Sequence, residues 1–465
     1  MKTWKKVLIA VIIVSAVVGA PATTLLVMLS IDEPLVDDSD LRVERADVPD
    51  EQNGYWYFTR MSEAADMPEE TGEPSEEEGE QAERPTGRAL VDAILEGRAW
   101  DADFVADLWQ RNEEAIRLLD EGLACETAQA PRLRIDSEIP EVVGWLEIAH
   151  LLDLHAMLLF KQGKEAEALE EALRLVRFGH AVESAKGGLV HYLIGKMAKQ
   201  QGLGRLRVIL SGTTLGRKVL ASYARRLGDY RAKEQGAADA LRVEYEMEIQ
   251  VLEDVKAGKY SLREIMSFDG SRRPGSPPPP FLFHPNETRR LFVEAYRLML
   301  GSVPLPYSGI KPKLDSVLDF PMDDWSTWLK GNSVGVRLYC ILMPATKGFL
   351  AQTCQEEVEL AAARTLLALK AFKVEKGRLP KTLGELVPEY LEAVPLDDFD
   401  GMPLRYNAEK KVVYSVGKDL NDGGGMTREE HKQWWNEQYP GREEDFDYNE
   451  SEIWELPDPS FPIEF

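Results

Sequence analysis

The chain has 465 residues, of which 44% are hydrophobic and 29% charged, enough for about two or three globular domains with apolar cores. Its formal charge of −25 argues against a nucleic-acid partner, since phosphate binding needs clustered Lys and Arg. Cys125, Cys340 and Cys354 form no Cys-x-x-Cys and are too few for a disulfide framework, so free thiols are expected and the compartment stays undecided by cysteine.

In chain order, Lys2, Lys5 and Lys6 precede an uncharged apolar run from Val7 to about Ser30. As a helix, that length crosses roughly 30 Å of hydrocarbon. The competing reading is a signal peptide removed at Ala20-Pro21-Ala22, but apolar sequence continues through Leu25, Leu26, Val27 and Leu29. An uncleaved anchor is therefore expected over 1–30. Lysines before the run and an acidic body after it place the N-terminus in the cytoplasm. The result is a single-pass protein of the inner (cytoplasmic) membrane whose bulk, in a bacterium, is periplasmic or otherwise extracytoplasmic. Residues 31–87 read as an acidic linker with an aromatic tether, Tyr55-Trp56-Tyr57-Phe58, expected to dock on the main body as a strand or tether. Ser62 to Glu83 has almost no large apolar side chain and is expected to be solvated.

A helical domain is expected over 88–355. Phe104, Leu108, Ala115 and Leu119 form one stripe at helix spacing. LLDLHAMLLFKQGKEAEALEEALRLV has small residues at Ala156, Ala168 and Ala172, with Gly163 between two amphipathic stretches, as in a tetratricopeptide-like hairpin. Gly202 is expected to turn a second, weaker copy. A long charged helix follows from Ala237 to Lys256. SRRPGSPPPP, Ser271 to Pro280, must be extended, because consecutive prolines cannot continue a helix. Helical pattern resumes at Thr288, breaks around Gly301 to Pro321 and returns from Asn332.

Catalytic constellations are sparse. Glu147 and His150 share a helix face, but a di-iron site needs a second Glu-x-x-His and further glutamates. His150 and His155 have the wrong spacing for a helical zinc pair, and GTTLGRK at 212–218 lacks the pattern of a phosphate-binding loop. A packed or surface role is expected for these residues, and no enzyme activity.

The C-terminal region, 356–465, reads as a small α+β domain. Val358, Ala362, Thr365, Leu369 and Phe372 make one helix face, stopped at Gly377 and Pro380. Thr382 and Glu385 suggest a capping box for a short second helix ending near Pro388. PLRY, NAEK and KVVYSVG read as a hairpin with Val412, Tyr414 and Val416 on one face, followed at once by KDLNDGGG. The fold class is thus mainly α with a small α+β domain at the end.

GRLPKTLGELVPEYLEAVP, DDFDGMPLRY and VVYSVGKDLNDGGG together resemble the globular domain of the major pseudopilins of type II secretion. Asp397 falls on the family aspartate, Phe399 on its aromatic, Pro403 on its second proline, and Ser415, Gly417 and Asp419 on its last motif; Asp398 stands where the family has proline. The resemblance covers Glu356 to Gly425. The architecture as a whole resembles uncharacterised envelope proteins of planctomycete-like bacteria. The prepilin-peptidase signature is missing, and residues 31–355 separate the anchor from the matching helix, so the resemblance implies a reused module rather than a subunit that is processed and polymerised.

The resemblance also implies calcium in the loop after the hairpin, and the local chemistry agrees. Calcium takes roughly six to eight oxygens from carboxylates, amides and carbonyls. Asp419, Asn421 and Asp422 supply side-chain oxygens, the glycines let carbonyls turn inward, and Ser415 is a further donor. EF-hand spacing would place Glu430 at the last ligand position, but a strand precedes the loop and Gly423 occupies a ligand position, so Glu430 is only a secondary candidate. Asp445, Asp447 and Glu452 are alternatives to it. The expected function is non-enzymatic: a membrane-anchored envelope protein with a structural or interaction role and envelope-protein partners. The alternatives are a genuine component of a secretion apparatus and an enzyme whose site lies between helices.

Overall fold

The computed structural model describes residues 24, 27–68, 86–231, 233, 236–259, 279–318, 332–343, 348–441, 446 and 452–465. Most of the apolar run at 7–30, residues 69–83 of the expected solvated stretch Ser62–Glu83, the proline run at 271–278, and Asp445 and Asp447 lie outside them; the start of that stretch is not solvated linker, because a helix runs to Ala64 and Met67 is buried in the core. Among the described residues the chain is mainly helical, with one small antiparallel sheet. The helices are α1 (Gly54–Ala64), α2 (Gly87–Leu95), α3 (Ala102–Arg111), α4 (Glu113–Ala124), α5 (Glu141–Lys161), α6 (Glu165–Glu183) and α7 (Gly188–Gly212). They continue as α8 (Arg217–Arg226), α9 (Gly236–Lys256), α10 (Pro285–Ser302), α11 (Tyr307–Leu318), α12 (Ser333–Leu342), α13 (Phe349–Lys376) and α14 (Arg428–Gln438). Strands β1 (Arg405–Asn407), β2 (Val412–Tyr414) and β3 (Ser460–Pro462) lie in that order in the sheet.

Contacts divide the chain into two units. The smaller comprises Met1–Arg42, Leu241–Gly301 and Pro312–Phe349. In it, Asp32 caps α10 by accepting the N–H groups of Asn286 (2.9 Å) and Glu287 (3.1 Å). Asp38 receives Tyr245 Oη (2.6 Å) and Arg289 (2.9 Å), tying the segment before Arg42 to α9 and α10. The expected break after Gly301 instead contains α11, which accommodates Pro312.

The larger unit comprises Val43–Ala240, Ser302–Lys311 and Leu350–Phe465. The four consecutive aromatics form the start of α1, not a strand. Asn53 accepts the Tyr55 N–H and starts the helix, and Tyr55, Phe58 and Met61 then step along one buried face. Phe58 meets Phe178 edge-on at 5.3 Å, and Trp145 donates to the Phe58 carbonyl at 2.9 Å. The stripe from Phe104 to Leu119 is split between α3 and α4 at buried Asn112, whose amide donates to the carbonyls of Leu108 and Asp66. Among the described residues one helix, α5, is long and apolar enough to cross a membrane, and most of it is buried in this unit.

Gly163 does turn α5 into α6, at φ +77. Gly202 is not a turn; it lies inside α7. A Cβ there would come within 2.8 Å of the Ala172 carbonyl oxygen, so the absent side chain sets interhelical distance rather than chain direction. Gly179 and Gly195 do the same a few turns away, each facing the other's carbonyl oxygen at 2.4 Å from its would-be Cβ. The small residues thus let α6 and α7 run in backbone contact.

That close approach creates a sealed charge cluster. Lys199 of α7, fully buried, donates to Glu183 of α6 at 2.8 Å and to the Tyr230 carbonyl at 2.8 Å, and pairs with Glu356 of α13. Tyr192 Oη donates to Glu356 at 2.6 Å, and His180 reaches Glu183 at 2.7 Å. Burial first, then the charge of Glu183, push the Glu356 carboxyl up to about 7 against the pull of Lys199. Burial likewise raises Glu183, and the two carboxyls facing Lys199 titrate as a coupled pair.

Two outcomes are expected. Gly179→Ala should lower unfolding free energy by on the order of 2–3 kcal/mol in urea melts, because the methyl meets backbone on the facing helix. Gly301→Ala, with open space around it, should be neutral or mildly stabilising. For pH, the folded state holds a proton on Glu356 that the unfolded chain releases near the ordinary value of 4.5. This contribution is complete below that value and is lost as pH rises through about 7, at up to about 1.4 kcal/mol per pH unit. Glu356→Gln should flatten the slope between those values; an unchanged slope would place the proton elsewhere.

Candidate functional site

The loop after the hairpin rests on a buried carboxylate that its own sequence does not contain. Helix α13 ends at Gly377, and the short second helix is a single 3-10 turn, Leu383–Leu386. Thr382 makes no cap bond there; Glu385 instead accepts the Lys381 N–H and the Arg378 guanidinium (2.9 Å). The chain then reaches Asp397, which is fully buried. Its carboxylate accepts the Phe399 N–H (3.0 Å), the Val416 N–H (2.9 Å), Ser415 Oγ–H (2.8 Å) and Arg405 (2.9 Å). Burial nonetheless holds its pKa above the ordinary carboxylate value, against the lowering by those donors.

The hairpin pairs Arg405 with Tyr414 and Asn407 with Val412. β3 adds a strand on the other side of β2, with Val412 opposite Pro462 and Tyr414 opposite Ser460. This third strand has no hairpin signal, because it returns from far along the chain. Just before it, Asp458 accepts the N–H groups of Gly423 (3.1 Å) and Gly425 (3.0 Å). Gly424 and Gly425 have φ of +90 and +76, which glycine adopts without strain. Their carbonyls are taken by Asn407 Nδ2 (2.8 Å) and Lys410 Nζ (2.6 Å). Asp458 was not visible as a site residue in the sequence; an isolated acid before a short apolar strand has no distinguishing pattern.

The five expected ligands therefore occupy different surroundings. Asp422 accepts Arg405 Nε (3.1 Å), Tyr414 Oη (3.1 Å) and the Gly424 N–H (3.0 Å). Partial burial works against its charge, but those donors win and hold its pKa below the ordinary value. Asp419 accepts the Asn421 N–H at 3.0 Å, and Asn421 is exposed. Ser415 is buried and engaged with Asp397 and the Gly417 N–H. Glu430 caps α14, in a box with Thr427 rather than Thr382, and pairs with Lys410 at 3.0 Å. Asp419 and Asn421 thus stand exposed on the loop, Asp422 is engaged by Arg405 and Tyr414, and Ser415 and Glu430 have structural roles. Asp458 is raised first by burial and then by the negative charges of Asp422 and Asp419. Among the described residues no three His, Cys, Asp or Glu side chains already stand close enough to enclose a metal ion.

The other sequence candidates are packed. His150 and Glu147 face Arg88, at 3.5 and 3.9 Å. His155 stacks on Trp109 with ring centroids 3.5 Å apart. The three cysteines are free thiols. Comparisons with protein-family models, curated proteins and solved structures find no match.

Asp397→Ala should cost on the order of 3 kcal/mol, because it strands buried donors and the Arg405 charge. Ser415→Ala should cost about 1 kcal/mol, and Asp419→Ala, on the exposed side, should lie within the scatter of surface substitutions. Urea denaturation of the full chain measures the order; equal effects at Asp397 and Asp419 would remove Asp397 from the centre of the module.

Proposed function

We propose that this chain is a non-enzymatic, membrane-anchored structural or interaction protein of the cell envelope, whose pseudopilin-like C-terminal module presents a calcium-binding loop. The observation that carries the reading is the placement of its ionisable groups. Three strongly perturbed ones, Glu183, Lys199 and Glu356, are sealed between helices where they hold α13 to the helical body. The hard oxygen donors Asp419, Asn421 and Asp422 stand instead on a surface loop. The residues that bear the pseudopilin resemblance, Asp397, Ser415 and Gly417, bond to one another, which supports a shared role in shaping that loop.

Calcium fits the donor chemistry: carboxylate and amide oxygens on a glycine-rich segment. Asp419, Asn421 and Asp422 would hold it, and the ion would relieve the repulsion felt by Asp458. The Lys2–Lys6 cluster and the apolar run after it support anchoring, with the body outside the cytoplasm. The α5–α6 hairpin, turned at Gly163 and lined by Ala156, Ala168 and Ala172, supports a tetratricopeptide-like reading of that pair, a frame suited to holding protein partners.

Calcium at a hundredfold excess over its Kd should stabilise the full chain by about 2.7 kcal/mol if it binds only the folded state. EDTA should reverse the rise in melting temperature, Asp419→Ala should abolish it, and magnesium should substitute poorly because it keeps its waters. Identical melts in calcium and in EDTA would reduce the loop to a polar turn. Retention of Met1 and of membrane association after a high-salt wash tests the anchor; a mature N-terminus at Thr23 would overturn it.

A further inference from the structure

A second feature of the larger unit points to a ligand, independently of the calcium loop. A cleft of about 260 Å³ lies along α13, between its Glu357–Arg364 stretch and the 392–398 segment that leads towards the hairpin. Leu360, Ala361, Val394, Pro395 and Leu396 give it apolar walls, and Leu396 is 58% exposed. Half-buried Arg364 lines the same cleft.

The Arg364 guanidinium is held from behind. Its Nε donates to the Ala224 carbonyl at 3.1 Å, and it packs so near Gly228 that a Cβ there would stand 3.2 Å from both Cζ and Nη2. Its two terminal NH₂ groups make no hydrogen bond or close ion pair among the described residues, and the carboxylates of Glu392, Asp229 and Glu357 act on the guanidinium only from farther away. The other cation lining the cleft is engaged, as Arg231 donates to Glu357 at 2.9 Å, and Lys233 nearby in sequence pairs with the lining residue Asp398. In a chain with 80 acidic residues against 55 basic ones, a partly buried arginine fork left open beside apolar walls is the exception. A planar fork fixed at Nε matches a carboxylate through its two terminal nitrogens.

We propose that this cleft binds a carboxylate carried on a short apolar body, with the carboxylate on the open Arg364 fork and the body along Leu360, Val394, Pro395 and Leu396. A monoanion is favoured over a phosphate dianion because Glu357, Glu392 and Asp398 also border the cleft, and one open arginine balances only one charge. None of these residues belongs to the 417–425 loop, so this site and the calcium reading stand or fall separately.

The test is calorimetric titration of the full chain with sodium hexanoate, hexanamide and hexyl phosphate. Hexanoate should bind saturably and more tightly than either of the others. Arg364→Gln should weaken it by about tenfold, as expected on losing a bidentate charge-assisted pair. Leu396→Ser, at an exposed position that does not threaten folding, should weaken it by roughly threefold through lost apolar contact. If Arg364→Gln lowers the melting temperature, the Leu396→Ser result decides. Non-saturable hexanoate binding, equal binding of hexanamide, tighter binding of hexyl phosphate, or indifference to Leu396→Ser would each overturn the proposal.

Discussion

A lysine with no water around it, held between two glutamates, is the constraint on which the larger unit depends. Removing Lys199 from solvent is tolerable only because Glu183, Glu356 and the Tyr230 carbonyl replace its hydration. Two carboxyls facing one ammonium in turn repel each other, which with burial raises Glu356 above the ordinary carboxylate value. Such a cluster adds little net stability over an apolar core, but it penalises any arrangement that separates its members. The three groups come from α6, α7 and α13, so α13 has one position in which every charge is answered.

Small residues are the precondition for that arrangement. Gly179, Gly195 and Gly202 let α6 and α7 approach until their backbones touch, which brings Lys199 within reach of Glu183. Further along α13, Glu359 accepts Trp454 Nε1 and Gln200 Nε2, each at 2.8 Å, so the tail of the chain is fastened to the same helix. The helix that begins the C-terminal module is therefore also a core helix of the body. A boundary drawn by motif at residue 356 falls inside this continuous element.

Local chemistry was legible in the sequence where it is decided locally. The turn at Gly163, the stop at Gly377, the helix ending at Lys256 and the β1–β2 hairpin each follow from a few adjacent residues. The failures share a cause. Gly202 carries the same letter as Gly163, but its role is set by a helix thirty residues away. Tyr55–Phe58 has no period within four aromatics, and only the Asn53 cap and the core around Trp145 make it a helix. At the candidate site, Asp419, Asn421 and Asp422 were readable as a group, whereas Asp458 and β3 were not, because their partners lie more than thirty positions upstream. Thr382 and Thr427 head similar capping patterns, and only the second closes into a box.

The dependence of the glycine loop on Asp458 has a consequence for how the protein is made. A chain that emerges from a ribosome or a membrane channel in N-to-C order exposes the hairpin and its loop well before Asp458 and β3 arrive. During that interval β2 has one open edge, and Gly423 and Gly425 lack their acceptor. The helical body, where Glu359 of α13 still awaits Trp454, is then the surface on which the unfinished sheet waits. The shape of the loop is thus a late event in biogenesis, and only chains that have cleared the exit in full can display it.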